Sequence, residues 1–121
     1  MIKIKRVYEP AKRGDGARFL VDRLWPRGVK KESLTMKTWL KDVAPSNELR
    51  HWYHHDEERW NEFRSRYFAE LEQEPDAWNS LLEAARAGTV TLLFSAQHTD
   101  HNNAVALQEF LEKKLRKRKK S

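Results

Sequence analysis

Residues 18–28 read RFLVDRLWPRG, an apolar run through Phe19, Leu20 and Val21 that turns abruptly into Asp22, Arg23, Trp25, Pro26, Arg27 and Gly28. Three apolar residues without polar alternation describe a strand covered on both faces, the condition of strands in a parallel sheet. Pro26 and Gly28 then stop the strand, since proline has no donor for a ladder and glycine permits a turn. The stretch therefore predicts a buried strand that opens into a charged loop.

On the amino-terminal side, Ile2, Ile4 and Val7 alternate with Lys3, Lys5 and Arg6, the period of a half-buried strand near a sheet edge. Glu9 to Gly16, with Pro10, Gly14 and Gly16, reads as a loop. On the other side, residues 29–35 form a basic connection with Ser33 as a candidate cap. Met36, Trp39, Leu40 and Val43 have helical spacing, yet Trp39, Lys41 and Val43 also alternate, so 36–43 stays open between a short helix and a strand. Pro45 ends it either way, because Ala44 before a proline is pushed out of helical geometry. Ser46 is a good N-cap for a short helix through Leu49, Trp52 and Tyr53.

Asp56 is set to cap the next helix, with Glu57 and Glu58 in the first turn where the helix dipole favours acids. Its buried stripe is Trp60, Phe63, Tyr67 and Leu71. Trp78, Leu81, Leu82 and Ala85 mark a third helix, with Gly88 as a left-handed terminator. Thr89 to Phe94 reads as a second buried strand. A last helix carries Ala104, Leu107, Leu111 and Leu115 on one face, with Thr99 or Asp100 as its cap, and that face fades by Leu115. Two buried strands separated by helices imply an α/β fold: one small domain over residues 1–112, a mostly parallel short sheet with helices packed on it, then a frayed basic tail over 113–121.

The chain has 121 residues, which fits one domain of the usual roughly 100 to 150. No apolar run reaches the roughly 20 residues of a membrane span, and the amino terminus lacks the apolar core of a signal peptide, so the expected location is the cytoplasm. The absence of cysteine excludes disulfides, thiol nucleophiles and thiolate metal sites. The net charge of +6 is uneven. Residues 1–31 carry ten Lys or Arg against three acids, residues 32–112 seven against fifteen, and residues 113–121 seven against none. The basic character belongs to the two ends.

In open α/β sheets ligands sit beyond the carboxyl ends of the strands, here Asp22 to Gly28 and Ser95 to Asn102. Arg23 and Arg27 flank a Trp-Pro kink, and guanidinium forks in a rigid loop suit bidentate capture of carboxylate or phosphate. Ser46 places a hydroxyl at a helix start, a second anion-favouring position. His101 and Asn102 stand in the first turn of the last helix, where they can point at the same anion. Lys41 and Ser95 extend the set, and Asp22 or Asp42 is placed to orient an arginine or act as a base. The expectation is thus a crevice for a small anionic or phosphorylated ligand, either a binding site or an active site, with Arg23 and Arg27 facing His101 and Asn102.

His98 and His101 lie three apart, as in metal pairs, but no third ligand stands near them in sequence, so no metal and no cofactor are expected. His54, His55 and Asp56 read as cap and surface residues at a helix junction. The alternative to a small ligand is a nucleic-acid or protein interaction module using the basic amino-terminal region and tail, adding salt-dependent affinity without sequence readout. No helix-turn-helix or zinc pattern supports it.

LVDRLWPRG at 20–28, WLKDVAPS at 39–46, ELRHWYHHDEERWNEFRSRYFAEL at 48–71, GTVTLLFSA at 88–96 and TDHNNAVAL at 99–107 together resemble the YeaO-like family of uncharacterised bacterial proteins. The resemblance covers nearly the whole chain except the basic tail. It implies a small cytoplasmic bacterial α/β domain and supplies no catalytic residue, the family being a domain of unknown function. His98 departs from the family pattern, which shows other polar residues there.

Overall fold

The computed structural model describes residues 1–54 and 56–119, with side chains as far as residue 117; His55 of the histidine junction and residues 120–121 of the basic tail lie outside the described residues. Four parallel strands, β1 (Ile2–Arg6), β2 (Ala17–Leu20), β3 (Thr38–Trp39) and β4 (Val90–Phe94), form one sheet in the order β1-β4-β2-β3. Helices α1 (Asn47–Tyr53), α2 (Trp60–Glu72), α3 (Pro75–Ala87) and α4 (Asn103–Lys119) pack on it. The chain is a single α/β domain.

The alternating strand β1 lies at an edge, as its half-polar period requires, and the two strands without alternation lie inside. β4 pairs with β1 from Ile2 opposite Val90 to Arg6 opposite Phe94, and with β2 from Ala17 opposite Val90 to Leu20 opposite Leu93. The two faces are covered differently. Ile2, Phe19, Val21, Val90, Leu92 and Phe94 point into the main core, where they meet residues from all four helices. Leu20 and Leu93 point the other way, into a smaller core with Val7 and Leu34, closed by Trp25, Val29, Met36 and Trp39. The irregular segment between β2 and β3 therefore does on the second face what a helical layer does on the first.

The ambiguous stretch 36–43 is neither one helix nor one strand. The Lys37 and Leu40 amides donate to the carbonyls of Arg18 and Leu20, which makes a two-residue strand, and Lys41–Val43 then makes a 3-10 turn. Ser46 caps α1 as expected, its hydroxyl accepting from the Leu49 amide. Asp56 accepts from the Glu58 amide at the head of a 3-10 turn, Glu57–Arg59, that runs into α2. Three local expectations are corrected. Ser33 lies inside a 3-10 turn, Lys31–Ser33, rather than at a cap. Gly88 has φ 172°, extended backbone rather than left-handed. The cap of α4 is Asn102 and not Thr99 or Asp100, its side-chain oxygen accepting from the Val105 amide. α4 itself continues through Lys119, with Leu115 still packed against the main core.

Beside the second core sits a cluster of charge. Arg18, 5 % exposed, is paired with Asp15 and donates from Nε to the Thr35 carbonyl at 2.7 Å. Lys5 reaches the same carboxylate at 3.1 Å, the Lys12 amide donates to it at 3.0 Å, and the buried Thr91 hydroxyl donates to the Asp15 carbonyl at 2.7 Å. The Lys12 amide, together with Lys5 and Arg18, lowers the Asp15 carboxyl from 3.8 to about 2 against the opposing effect of burial.

Candidate functional site

Because β2 and β4 are neighbours, their carboxyl ends share one opening, a crevice of about 480 Å³ between the strand ends, α1 and the start of α4. At the strand ends it holds Asp22, the first residue after Val21. One carboxylate oxygen accepts from the Ser95 amide at 2.9 Å and the Ser95 hydroxyl at 2.7 Å. The other accepts from the Asn103 side-chain amide at 3.1 Å, and that amide also donates to the Val21 carbonyl at 3.1 Å. Asp22 thus ties the ends of both inner strands to the first turn of α4. Burial pushes its carboxyl up from the ordinary value, opposed by the hydrogen bonds from Ser95 and Asn103 and by the nearby charge of Arg50.

The loop after Asp22 forms one wall. Arg23 folds back to the segment before α1, where its guanidinium donates to the carbonyls of Ala44 at 3.1 Å and Pro45 at 3.2 Å. Trp25 packs edge-on against Trp39 with ring centroids 5.3 Å apart and donates to the Val29 carbonyl at 2.6 Å. Trp39 in turn donates to the Asp22 carbonyl at 2.7 Å. Two indole hydrogen bonds and one aromatic contact therefore fix the shape of the loop. Tyr8 closes the wall from β1's side, its hydroxyl donating to the Arg27 carbonyl at 3.0 Å. The Arg27 side chain, exposed at the mouth, has no hydrogen-bond or ion-pair partner among the described residues.

Across the crevice, α1 contributes Arg50, His51 and Tyr53. Tyr53 stacks on Phe63 of α2 at 4.4 Å, giving the crevice an aromatic floor. Arg50 donates to Asn47 of its own helix at 3.1 Å. Among the described residues no carboxylate forms an ion pair with Arg23, Arg27 or Arg50.

Of the residues the sequence singles out, Asp22, Arg23, Arg27, Ser95 and Asn102 line this crevice. Lys41, Ser46 and His101 do not. The Lys41 ammonium lies 4.4 Å from the centre of the Trp39 ring. The Ser46 hydroxyl donates to Glu70 at 2.6 Å, and Ser46 opens on a separate groove with Asp42, Glu74 and Asp76. His101 stacks on Trp60 at 4.6 Å, outside the crevice, so the expected facing of Arg23 and Arg27 toward His101 is not met. Asn102 is present mainly as a cap, its amide donating to the His98 carbonyl at 2.8 Å. Sequence reasoning missed Arg50, His51 and Asn103. The signal for Arg50 was available, since the Ser46 cap fixes the phase of α1, and a helix buried through Leu49 and Tyr53 carries Arg50 beside that buried edge.

Similarity to known proteins follows the same outline. The family described as "Inactive DUF488-N3 subclade" matches residues 1–121. The uncharacterized protein YeaO of Escherichia coli K12 is 44% identical over 110 residues, which are 91% of this chain and 96% of that protein. The uncharacterized proteins Mb3100c of Mycobacterium bovis and Rv3073c of Mycobacterium tuberculosis are each 42% identical over 110 residues, covering 91% of this chain and 92% of theirs. No solved structure matches significantly. The match along the whole chain, with relatives above 40% identity at nearly full length, makes this protein a YeaO-like member of the inactive DUF488-N3 subclade.

Proposed function

We propose that the crevice binds a small anionic or phosphorylated ligand and holds it without chemical turnover. One observation carries this reading: among the described residues the charged lining is three arginines, Arg23, Arg27 and Arg50, against the single carboxylate of Asp22, and none of these arginines is in an ion pair. Asp22 is already occupied by Ser95 and Asn103. An anion entering the mouth meets the Arg27 guanidinium without displacing a protein partner, and bidentate recognition of phosphate or carboxylate is what that group does best. The volume is of the order of small-molecule sites, and the stacked Tyr53 and Phe63 offer apolar surface to the rest of the ligand. The family's description as an inactive subclade favours binding over catalysis.

The interaction-module reading has less to stand on, because many amino-terminal cations are engaged within the fold. Lys3 donates to the Gly14 carbonyl, Lys5 to Pro10 and Asp15, Arg6 to the Ser95 and Ala96 carbonyls, and Arg18 to Asp15 and Thr35.

Thermal unfolding in a series of inorganic phosphate and nucleoside monophosphates tests the proposal. A ligand at a hundred times its dissociation constant stabilises by about 2.7 kcal/mol. The expected result is a saturable rise in Tm that Arg27→Ala and Arg50→Ala each reduce or abolish. A rise of the same size in both variants overturns the crevice as the site.

A further inference from the structure

Outside the crevice, three side chains with metal-ligating atoms meet where the loop between β4 and α4 reaches the turn that starts α2. His98 and His101 come from the loop and Glu57 from the turn. The His98 Nε2 is in contact with a Glu57 carboxylate oxygen, and His101 Nδ1 lies 3.3 Å from that same oxygen. One ligating atom from each residue falls within 4.8 Å of the other two. The third ligand that the sequence did not offer beside the two histidines is therefore supplied by a different element.

We propose that Glu57, His98 and His101 form a site for a divalent transition-metal ion, zinc fitting it best, which clips the loop to the start of α2. Two imidazoles and one carboxylate suit zinc and its late first-row neighbours, whereas magnesium and calcium take oxygen ligands. Three protein ligands leave a fourth position to water, the arrangement of an open zinc site. All three residues are accessible to an incoming ion, with side-chain exposures of 54 % for Glu57, 42 % for His98 and 33 % for His101.

The two imidazoles are not equivalent. His101 is fixed by stacking on Trp60, with centroids 4.6 Å apart and an interplanar angle of 18°. His98 lies parallel to His101 at 5.1 Å, and its Nδ1 accepts the His101 amide at 3.1 Å, which leaves its proton on Nε2 toward Glu57. Two parallel rings cannot both aim in-plane lone pairs at one ion. On coordination, His98 is the ring that turns: its proton moves from Nε2 to Nδ1, the Nε2 lone pair takes the metal, and the His101 amide turns to water. His101 Nδ1, 3.3 Å from the Glu57 carboxylate oxygen, donates a proton to it before the ion arrives; on coordination that proton moves to His101 Nε2 and the Nδ1 lone pair takes the metal. His101 and Glu57 are the preformed part of the site and His98 the part that closes on the ion.

The test is calorimetric titration of the full chain with zinc chloride, beside Glu57→Gln, His98→Ala, His101→Ala and the neighbouring control Glu58→Gln. One zinc per chain is expected. Each of the first three substitutions lowers the affinity by at least about tenfold, the loss already typical when only an outer partner of a ligand is removed, and the control leaves it unchanged. The imidazole resonances of both histidines shift on titration. Glu57→Gln alters no backbone contact and keeps the test valid if a histidine variant fails to fold. Absence of saturable binding, equal affinity in the three variants, or equal binding of magnesium chloride overturns the site. None of these outcomes bears on the anion crevice.

Discussion

Asp15 and Asp22 are both shielded carboxylates, and their surroundings move them in opposite directions. Asp15 is held at about 2 by the Lys12 amide, Lys5 and Arg18, so its charged form is favoured by folding. Because the folded value lies below the ordinary 3.8, this contribution is fully present above about pH 4 and is lost as the pH falls toward 2. Asp15→Asn should destabilise the protein by roughly 3 kcal/mol at neutral pH, because it leaves the buried Arg18 without its counter-charge. Urea unfolding from pH 6 to pH 2 should show the gap between native and variant narrowing only below about pH 4; a constant gap would refute the assignment. Asp22 behaves in the reverse sense, since its raised value makes ionisation a cost to the folded state as pH rises. At this scale the sequence is least informative. RFLVDRLWPRG shows that Arg23 and Arg27 flank a kink, but not that Arg23 is engaged by the Ala44 and Pro45 carbonyls, because those acceptors lie outside the stretch.

Elements are legible where a period has room to repeat. β4 and β2 read correctly as inner strands because unbroken apolar runs cannot sit on a half-solvated face, and α2 and α3 read correctly because their stripes recur over 13 residues each. β3 has two residues, so no period exists to be read, and its presence rests on hydrogen bonds to β2. One glycine marks a place where elements approach closely. Gly16 has φ 64°, and a side-chain carbon there would lie 2.2 Å from the Thr89 carbonyl oxygen, at the point where β2 and β4 begin. Gly28 has φ 75° with open space around it. Gly16→Ala should therefore cost about 3 kcal/mol or prevent folding, whereas Gly28→Ala should cost only the ~1 kcal/mol of a left-handed backbone. Chemical denaturation of the two variants separates them, and equal losses would contradict the close approach at Gly16.

On the scale of the whole molecule, the position of the crevice was legible and its composition was not. Two inner strands followed by polar loops place an opening at their carboxyl ends by topology alone. What lines its far wall depends on how α1 packs, and that is decided by Leu49, Tyr53 and Phe63 meeting across two helices. His101 failed as a crevice residue for the same kind of reason, since Trp60 draws it to the outside of α2.

The strand order has a consequence for how the protein comes into being. β4 separates β1 from β2, so the first two strands synthesised share no hydrogen bonds and are joined only through the last strand to emerge. On the ribosome the first 89 residues hold three strands and three helices but not the strand that unites them, and the sheet must wait for Val90–Phe94. A chain ending at residue 89 should show no cooperative melting by circular dichroism, and a separately supplied piece carrying residues 88–121 should restore it. Until β4 has been made, the apolar faces of β1 and β2 are in need of shelter.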